Sequence, residues 1–469
     1  MTRYERYAHE IADLIKCQTL RPGDRLPSVR QASISRKISP ATVFAAYYLL
    51  EAQGLIQARA RSGYYVSARM QPIQAEPGTA LPSGQSTAVE ISDLVFEVLE
   101  STRQLDVVPL GSAFPSPALF ELDKLARSLT PAMRQLEPRR MVEDLTLGNE
   151  RLRHQISLRY RLAGAAVDVD EIIISNGAME ALNLCLQAVT QTGDVVAVES
   201  PTFYSALQAL ERLKLRAVEV ATHPRDGIDL DSLAQVLENH PVKACWFMPN
   251  FQNPLGSLMP EGRKQALVEL LAEHQVPLIE DDVYGELYFG LHRPLPAKAH
   301  DRLGLVLHCS SFSKCLAPGY RVGWVAAGRF ARQVQRLKLM TTLSTAIPSQ
   351  LAISAYLQGG GFERHLRSLR QTLAAQQALA LRLIAEYFPA GTRVTRPEGG
   401  YFLWLELPPH VDALQLHRLT LAQRISIAPG HLFSADRRFG HCLRLNYGHP
   451  ADSRFEEALR TVGRLACAL

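Results

Sequence analysis

A chain of 469 residues with 47% hydrophobic and 21% charged side chains holds enough apolar material for two or three folded domains and too much for a disordered one. No run of about eighteen apolar residues appears, and Met1-Thr2-Arg3-Tyr4-Glu5-Arg6 lacks a signal-peptide apolar stretch, so no membrane partner is expected. The net charge of +5 is concentrated: residues 1–70 hold 11 Lys and Arg against 5 Asp and Glu, leaving about −1 on the rest. A basic module on a near-neutral body points to nucleic acid. Seven cysteines stand singly, which argues against a disulfide framework or zinc site and for a cytoplasmic protein.

In chain order, Tyr7 to Leu20 carries Ala8, Ile11, Ala12 and Ile15 on one helical face. Arg21-Pro22-Gly23-Asp24 reads as a turn. Ser28 then caps a helix running through about Ile34. Ser39-Pro40 repeats the cap signal, and the next helix holds Val43, Ala46, Tyr47 and Leu50 on one face and ends near Gly54. Leu55 to Val66 reads as two strands turning at Ser62-Gly63. Three helices and a basic hairpin make a winged helix-turn-helix, whose third helix enters the major groove.

The run Pro22-Gly23-Asp24-Arg25-Leu26-Pro27-Ser28-Val29-Arg30, with Thr42-Val43, Tyr47, Leu50, Gly54-Leu55-Ile56 and Ser62-Gly63, resembles the GntR family. That resemblance implies promoter DNA as partner and Arg30, Thr42, Arg61 and Gly63 as its contacts. Other roles stay open: a surface ion pair for Arg30, a helix cap for Thr42, the turn itself for Gly63. Pro40 stands where the family often has a basic residue. The module is placed at residues 1–68, and the Pro- and Gly-bearing stretch 69–92 is expected to be a tether.

From residue 93 onward strands and helices alternate, which implies a mostly parallel sheet covered on both faces, an α/β fold. Expected strands are 171–175, 195–199, 244–248, 277–280 and 306–310, and ligands bind at the carboxyl ends of such strands. There Ser175-Asn176-Gly177-Ala178-Met179 opens a helix whose free N–H groups suit a phosphate. Glu199-Ser200-Pro201-Thr202-Phe203-Tyr204 offers aromatic rings. Asn253 lies in Asn253-Pro254-Leu255-Gly256, and Glu280-Asp281-Asp282-Val283-Tyr284 ends another strand. Ser310-Ser311-Phe312-Ser313-Lys314 follows the apolar Gly304–Cys309, with Arg321 seven residues on. A lysine flanked by hydroxyls, with a guanidinium near, suits an amine that bonds an aldehyde beside an anion.

The order Gly177, Phe203, Asn253, Asp281, Tyr284, Lys314, Arg321 resembles the fold-type I pyridoxal-phosphate (PLP) enzymes of the class I/II aminotransferase group. The entry Ala113-Phe114-Pro115-Ser116-Pro117 and the segment Gly148-Asn149-Glu150-Arg151-Leu152-Arg153 fit the same pattern. The resemblance implies pyridoxal 5'-phosphate as cofactor, bonded to Lys314. Gly177, Ala178, Met179, Ser311, Ser313 and Arg321 would hold its phosphate, and Asp281 its ring nitrogen. Asn253 and Tyr284 would bond its phenolic oxygen, and Phe203 would stack on the ring, with Tyr204 left open beside it. Asp282 is expected to be a solvated helix cap. Arg444, in His441-Cys442-Leu443-Arg444-Leu445-Asn446-Tyr447, would take the substrate carboxylate together with Asn253, or else form a structural ion pair. A smaller lobe is expected over about 340–469, closing a domain at 93–469.

The fusion of both parts resembles the MocR subgroup of GntR regulators. The expected function is a DNA-binding transcriptional regulator that senses PLP, or an amino compound, as an aldimine at Lys314. The alternative is a working aminotransferase with a DNA-binding appendage. A homodimer is expected from the family. Many relatives place a tyrosine shortly before the Gly148 segment, where Arg140 to Leu147 has none, which weakens the case for turnover and for a trans-subunit contact.

Overall fold

The structure, a computed structural model, describes residues 3–17, 19–52, 54–59, 62–67, 74–100, 106–139 and 145–469. Helix α1 (Arg3–Lys16) starts and ends earlier than its periodicity predicts and buries Tyr7, Ala8, Ile11, Ala12 and Ile15. Helix α2 (Val29–Arg36) opens on a capping box: Ser28 Oγ accepts from the Gln31 N–H at 3.2 Å and the Gln31 side chain accepts from the Ser28 N–H. Helix α3 (Pro40–Ala52) is capped by Ser39 Oγ, which accepts from the Thr42 N–H at 3.1 Å. Val43, Ala46, Tyr47 and Leu50 face the core, as the spacing predicts. Strands β1 (Ile56–Arg59) and β2 (Gly63–Val66) form the antiparallel wing.

The stretch 74–92 departs from the expected tether. Strand β3 (Thr87–Ala88) pairs with the edge of the body's main sheet, and Val89 and Ile91 are buried. The Val394 N–H donates to Ala75 O at 3.0 Å, Arg438 to Leu81 O at 2.8 Å, and Arg225 pairs with Glu76 at 2.6 Å. The body's own donors hold this strap, which is why its sequence shows no period.

The body follows with β4 (Val108–Pro109), β5 (Ile172–Ser175), β6 (Val195–Ser200), β7 (Arg216–His223), β8 (Gly227–Ile228), β9 (Val242–Phe247), β10 (Leu278–Asp281), β11 (Val306–Ser311) and β12 (Gly323–Ala326). Its main sheet has the order β3-β7-β6-β9-β10-β11-β12-β5, with β8 on β7. The strands β7, β6, β9, β10 and β11 run parallel, β12 returns antiparallel to β11, and β5, antiparallel to β12, resumes the common direction. Near-continuous apolar strands are buried on both faces, as a helix-covered sheet requires. The smaller sheet holds β13 (Arg393–Val394), β14 (Phe402–Glu406), β16 (Ala428–Pro429) and β17 (Cys442–Asn446), in the order β13-β14-β17-β16. Strand β15 (Ile425–Ser426) pairs parallel with β4, which ties the entry of the body to its end. The long helix Gly361–Tyr387 packs against both α3 and the C-terminal helix Ser453–Ala468.

Candidate functional site

The site forms where the parallel strands end. Gly177 caps helix Ala178–Val189 with φ +84, and an added Cβ would lie 2.5 Å from Arg321 Nη2. A side chain there would push that guanidinium aside and sit at a left-handed backbone angle that favours glycine. Arg321, itself left-handed at φ 53, donates to Asn176 O at 3.2 Å and to Ser313 Oγ at 3.5 Å. Ser311 Oγ accepts from the Ser313 N–H at 3.3 Å. Gly177, Ser311, Ser313 and Arg321 thus come together beside a helix N-terminus, with Ala178 and Met179 in that helix's first turn, an arrangement with the donors to hold an anion.

Asp281, Tyr284, Asn253, Lys314 and Arg444 meet nearby. Asp281 ends β10, is buried, and has no partner for Oδ1 among the described residues. Burial, reinforced by Asp282, lifts its carboxyl to about 7, while Lys314 pulls it back. Burial pushes the Lys314 ammonium down to about 7, with Arg444 and Arg321 adding to the push and Asp281 opposing it. Lys314 Nζ donates to Ala113 O at 2.8 Å and lies 3.6 Å from the Phe114 ring centroid. Asn253 Nδ2 donates to Tyr284 Oη at 3.4 Å, and Asn253 Oδ1 accepts from Arg444 Nη1 at 3.0 Å.

Arg444 is fully buried on β17. It donates to Gly111 O at 2.7 Å and sits over the rings of Phe402 and Phe433. Its Nε is unpartnered and no carboxylate pairs with it among the described residues, so the structural ion pair is not there. A buried cation facing only neutral acceptors and aromatic faces has the charge and the free donor to take an anion. Arg444 draws down the Tyr204 phenol, which burial has pushed up. Phe203 packs on Tyr204 with ring centroids 4.7 Å apart.

One expectation is corrected. Asp282 is buried, not a solvated cap. Asn250 donates to its Oδ1 at 3.0 Å, and His308 Nε2 and Arg293 Nη2 reach its Oδ2 at 3.1 and 3.3 Å. Burial opposes its ionisation, but His308 and Arg293 outweigh that and hold it below the usual range. The apolar strand before it gave no sign of these partners, which come from remote segments. Tyr401 was also not singled out: its Oη donates to Ala113 O at 3.1 Å, the carbonyl Lys314 uses. No local motif marks it.

The candidate DNA-contacting residues lie apart, in the N-terminal module. Arg30 is exposed on α2 and has no ion-pair partner among the described residues. Thr42 is half-exposed in the first turn of α3, and its own N–H is the one that Ser39 caps. Gly63 opens β2 at φ +105, as the turn requires. Arg61 lies outside the described residues.

Residues 146–462 match the model of aminotransferase class I and II, and residues 3–66 that of the bacterial regulatory proteins of the gntR family. The chain belongs to the class I and II aminotransferase family, fused to a GntR module. It is 48% identical over 99% of both chains to the HTH-type transcriptional regulator YdcR of Escherichia coli. This places it in the MocR subgroup, with a winged helix-turn-helix on a fold-type I α/β body. It is 29% identical to an aromatic-amino-acid aminotransferase of Thermococcus litoralis, over 78% of this chain and 89% of that one. Among solved structures, the kynurenine aminotransferase of Pyrococcus horikoshii, in complex with PMP, superposes with TM-score 0.74. Identity is 28%, over 80% of this chain and 94% of that one. LysN of Thermus thermophilus, complexed with N-(5'-phosphopyridoxyl)-L-leucine, gives 0.71 at 27% identity, over 81% and 99%.

The aminotransferase body's residues fit a phosphopyridoxyl group. The donors beside Gly177 would suit a phosphate, and the unpartnered Asp281 oxygen would accept from a ring N–H. No helix in the described residues is long and apolar enough to cross a membrane.

Proposed function

We propose that this chain is a DNA-binding transcriptional regulator whose body holds pyridoxal phosphate and responds to it or to an amino compound. Arg444 carries the reading: a fully buried guanidinium with no counter-charge among the described residues, next to an amine at Lys314 depressed to about 7. When bound, the cofactor supplies an aldehyde for exchange with amines and a ring that accepts electrons. Lys314 would hold the aldehyde carbon, and Asp281 would keep the ring nitrogen protonated. Asn253 and Tyr284 would bond the phenolic oxygen, and Phe203 would cover one ring face. Gly177, Ala178, Met179, Ser311, Ser313 and Arg321 would hold the phosphate. Arg444, steadied by Asn253, would fork to the carboxylate of an amino acid.

The N-terminal module supports promoter DNA as the output, with Arg30, Thr42, Arg61 and Gly63 as contacts. The domain limits 1–68 and 93–469, with a strapped connection between them, belong to the same proposal, as does a homodimer. An effector acts only by binding two arrangements of the chain unequally. The experiment is operator binding by the full chain with and without PLP, and with amino acids added. A change in DNA affinity that Lys314→Ala abolishes is expected, and unchanged affinity throughout would sink the regulatory reading.

A second reading, turnover as an aminotransferase, is favoured by the convergence of Lys314, Asp281, Asn253, Tyr284 and Arg444 in one site. Release of an oxo acid from the PLP-loaded protein and an amino acid supports it. Binding without release supports the sensor.

A further inference from the structure

Helix α3 carries Thr42 in its first turn and touches the body from its third. There Tyr48 Oη donates to the carbonyl of Ala374, 3.0 Å away, within helix Gly361–Tyr387. One turn on, buried Gln377 donates from Nε2 to Pro397 O at 2.8 Å and to Tyr447 Oη at 3.2 Å. The Tyr48 phenol is close enough to Tyr447 to add to the upward push that burial gives it. Tyr447 directly follows β17, the strand of Arg444. Its N–H donates to Tyr401 O at 3.0 Å, and the Tyr401 phenol shares Ala113 O with Lys314. Hydrogen bonds and one helix turn therefore run unbroken from Lys314 to α3.

Resting on the regulatory reading above, we infer that Tyr48 is the contact through which the Lys314 site sets how α3 is held. Condensation of the Lys314 amine with an aldehyde forms a C=N bond and releases water. Both N–H hydrogens of the amine leave with the aldehyde oxygen as that water, so the neutral C=N nitrogen has none left to donate to Ala113 O. Tyr401 is left as that carbonyl's remaining side-chain donor among the described residues, and its backbone holds Tyr447. The difference reaches Gln377 and the Ala374 turn, which Tyr48 grips. Tyr48 stands six residues beyond Thr42, about 9 Å along the same helix. A small shift at the grip is therefore delivered to the DNA-facing end by a rigid element.

The test is hydrogen exchange of the full chain, with and without PLP, read over residues 40–52 and 361–387. Borohydride trapping and peptide mass report occupancy of Lys314 in the same samples. In the unaltered protein PLP is expected to change exchange in both segments. Tyr48→Phe keeps the ring and the trapped adduct, keeps the change in 361–387, and loses it in 40–52. Gln377→Met is the second variant and also loses the change in 40–52. A full change in 40–52 retained by both variants overturns the coupling and leaves cofactor binding standing. So does an unaltered protein that traps the adduct without any change in 40–52. If nothing is trapped at Lys314 even in the unaltered protein, the cofactor reading fails and takes this inference with it.

Discussion

Lys314 has the most to say at the scale of single residues. Its amine is buried among Arg444, Arg321 and Asp281, and the two cations and the loss of water outweigh the one carboxylate. An amine attacks an aldehyde only when deprotonated, and an ordinary lysine is deprotonated near pH 10. The rate of PLP capture, followed by absorbance, is therefore expected to rise with pH and level off above about 7. A rise continuing towards pH 10 would contradict the burial argument. Gly177 makes a second case. Gly177→Ala would put a methyl against Arg321 at a backbone angle that disfavours it. Loss of one charge-assisted hydrogen bond, worth about 1.5–3 kcal/mol, should weaken PLP affinity about tenfold or more. Equilibrium titration of the folded variant checks this.

At the scale of elements, β10 and β11 are locked by groups behind the site. Trp324 Nε1 donates to Tyr160 Oη at 3.0 Å, Tyr160 Oη meets His308 Nδ1 at 2.6 Å, and His308 Nε2 meets Asp282. With Tyr160 donating to Nδ1, the hydrogen on Nε2 points at the carboxylate. Asp282→Ala would take the buried carboxylate from Asn250, His308 and one arm of Arg293, which keeps Glu286, and should destabilise the body by about 3–5 kcal/mol. The lowered midpoint of its urea transition measures this. The sign of the pH effect follows from the direction of the shift. Glu286 is also buried, which opposes its ionisation, but Arg293, Arg159 and Arg370 pair with it and outweigh that. The folded-state pKa values of Asp282 and Glu286 are both depressed, so their contribution is present above the ordinary carboxylate range near 4 and lost as pH falls through the lower folded values. Asp281 is raised to about 7 and works the other way, costing stability as pH climbs from about 4 to 7.

At the scale of the whole molecule, a basic reader is bound to a body that holds its connection down. Arg30 is exposed, so Arg30→Ala should leave folding intact, weaken DNA binding across sequences, and reduce the salt slope of log K by about one if it meets a phosphate. Binding at several salt concentrations gives that slope. Because 74–92 lies on the body, only residues 68–73 separate Ser67 from the strap. Seven backbone steps from Ser67 to Gln74 span at most about 25 Å, so the reader stays near its own body.

The sequence alone carried the caps at Ser28 and Ser39, the apolar face of α3, the alternation of strands and helices, and the strand-end positions of Gly177, Asp281 and Lys314. These are local: a cap or a buried face is written in residues a few places apart. The tertiary structure decided the rest. It took Asp282 out of solvent, brought Tyr401 to the carbonyl that Lys314 uses, and laid an unpatterned tether along a sheet edge. It also left Arg444 buried without a counter-charge among the described residues. Each depends on partners far away in the chain, and a side chain's solvation and charge balance follow from what folding sets beside it.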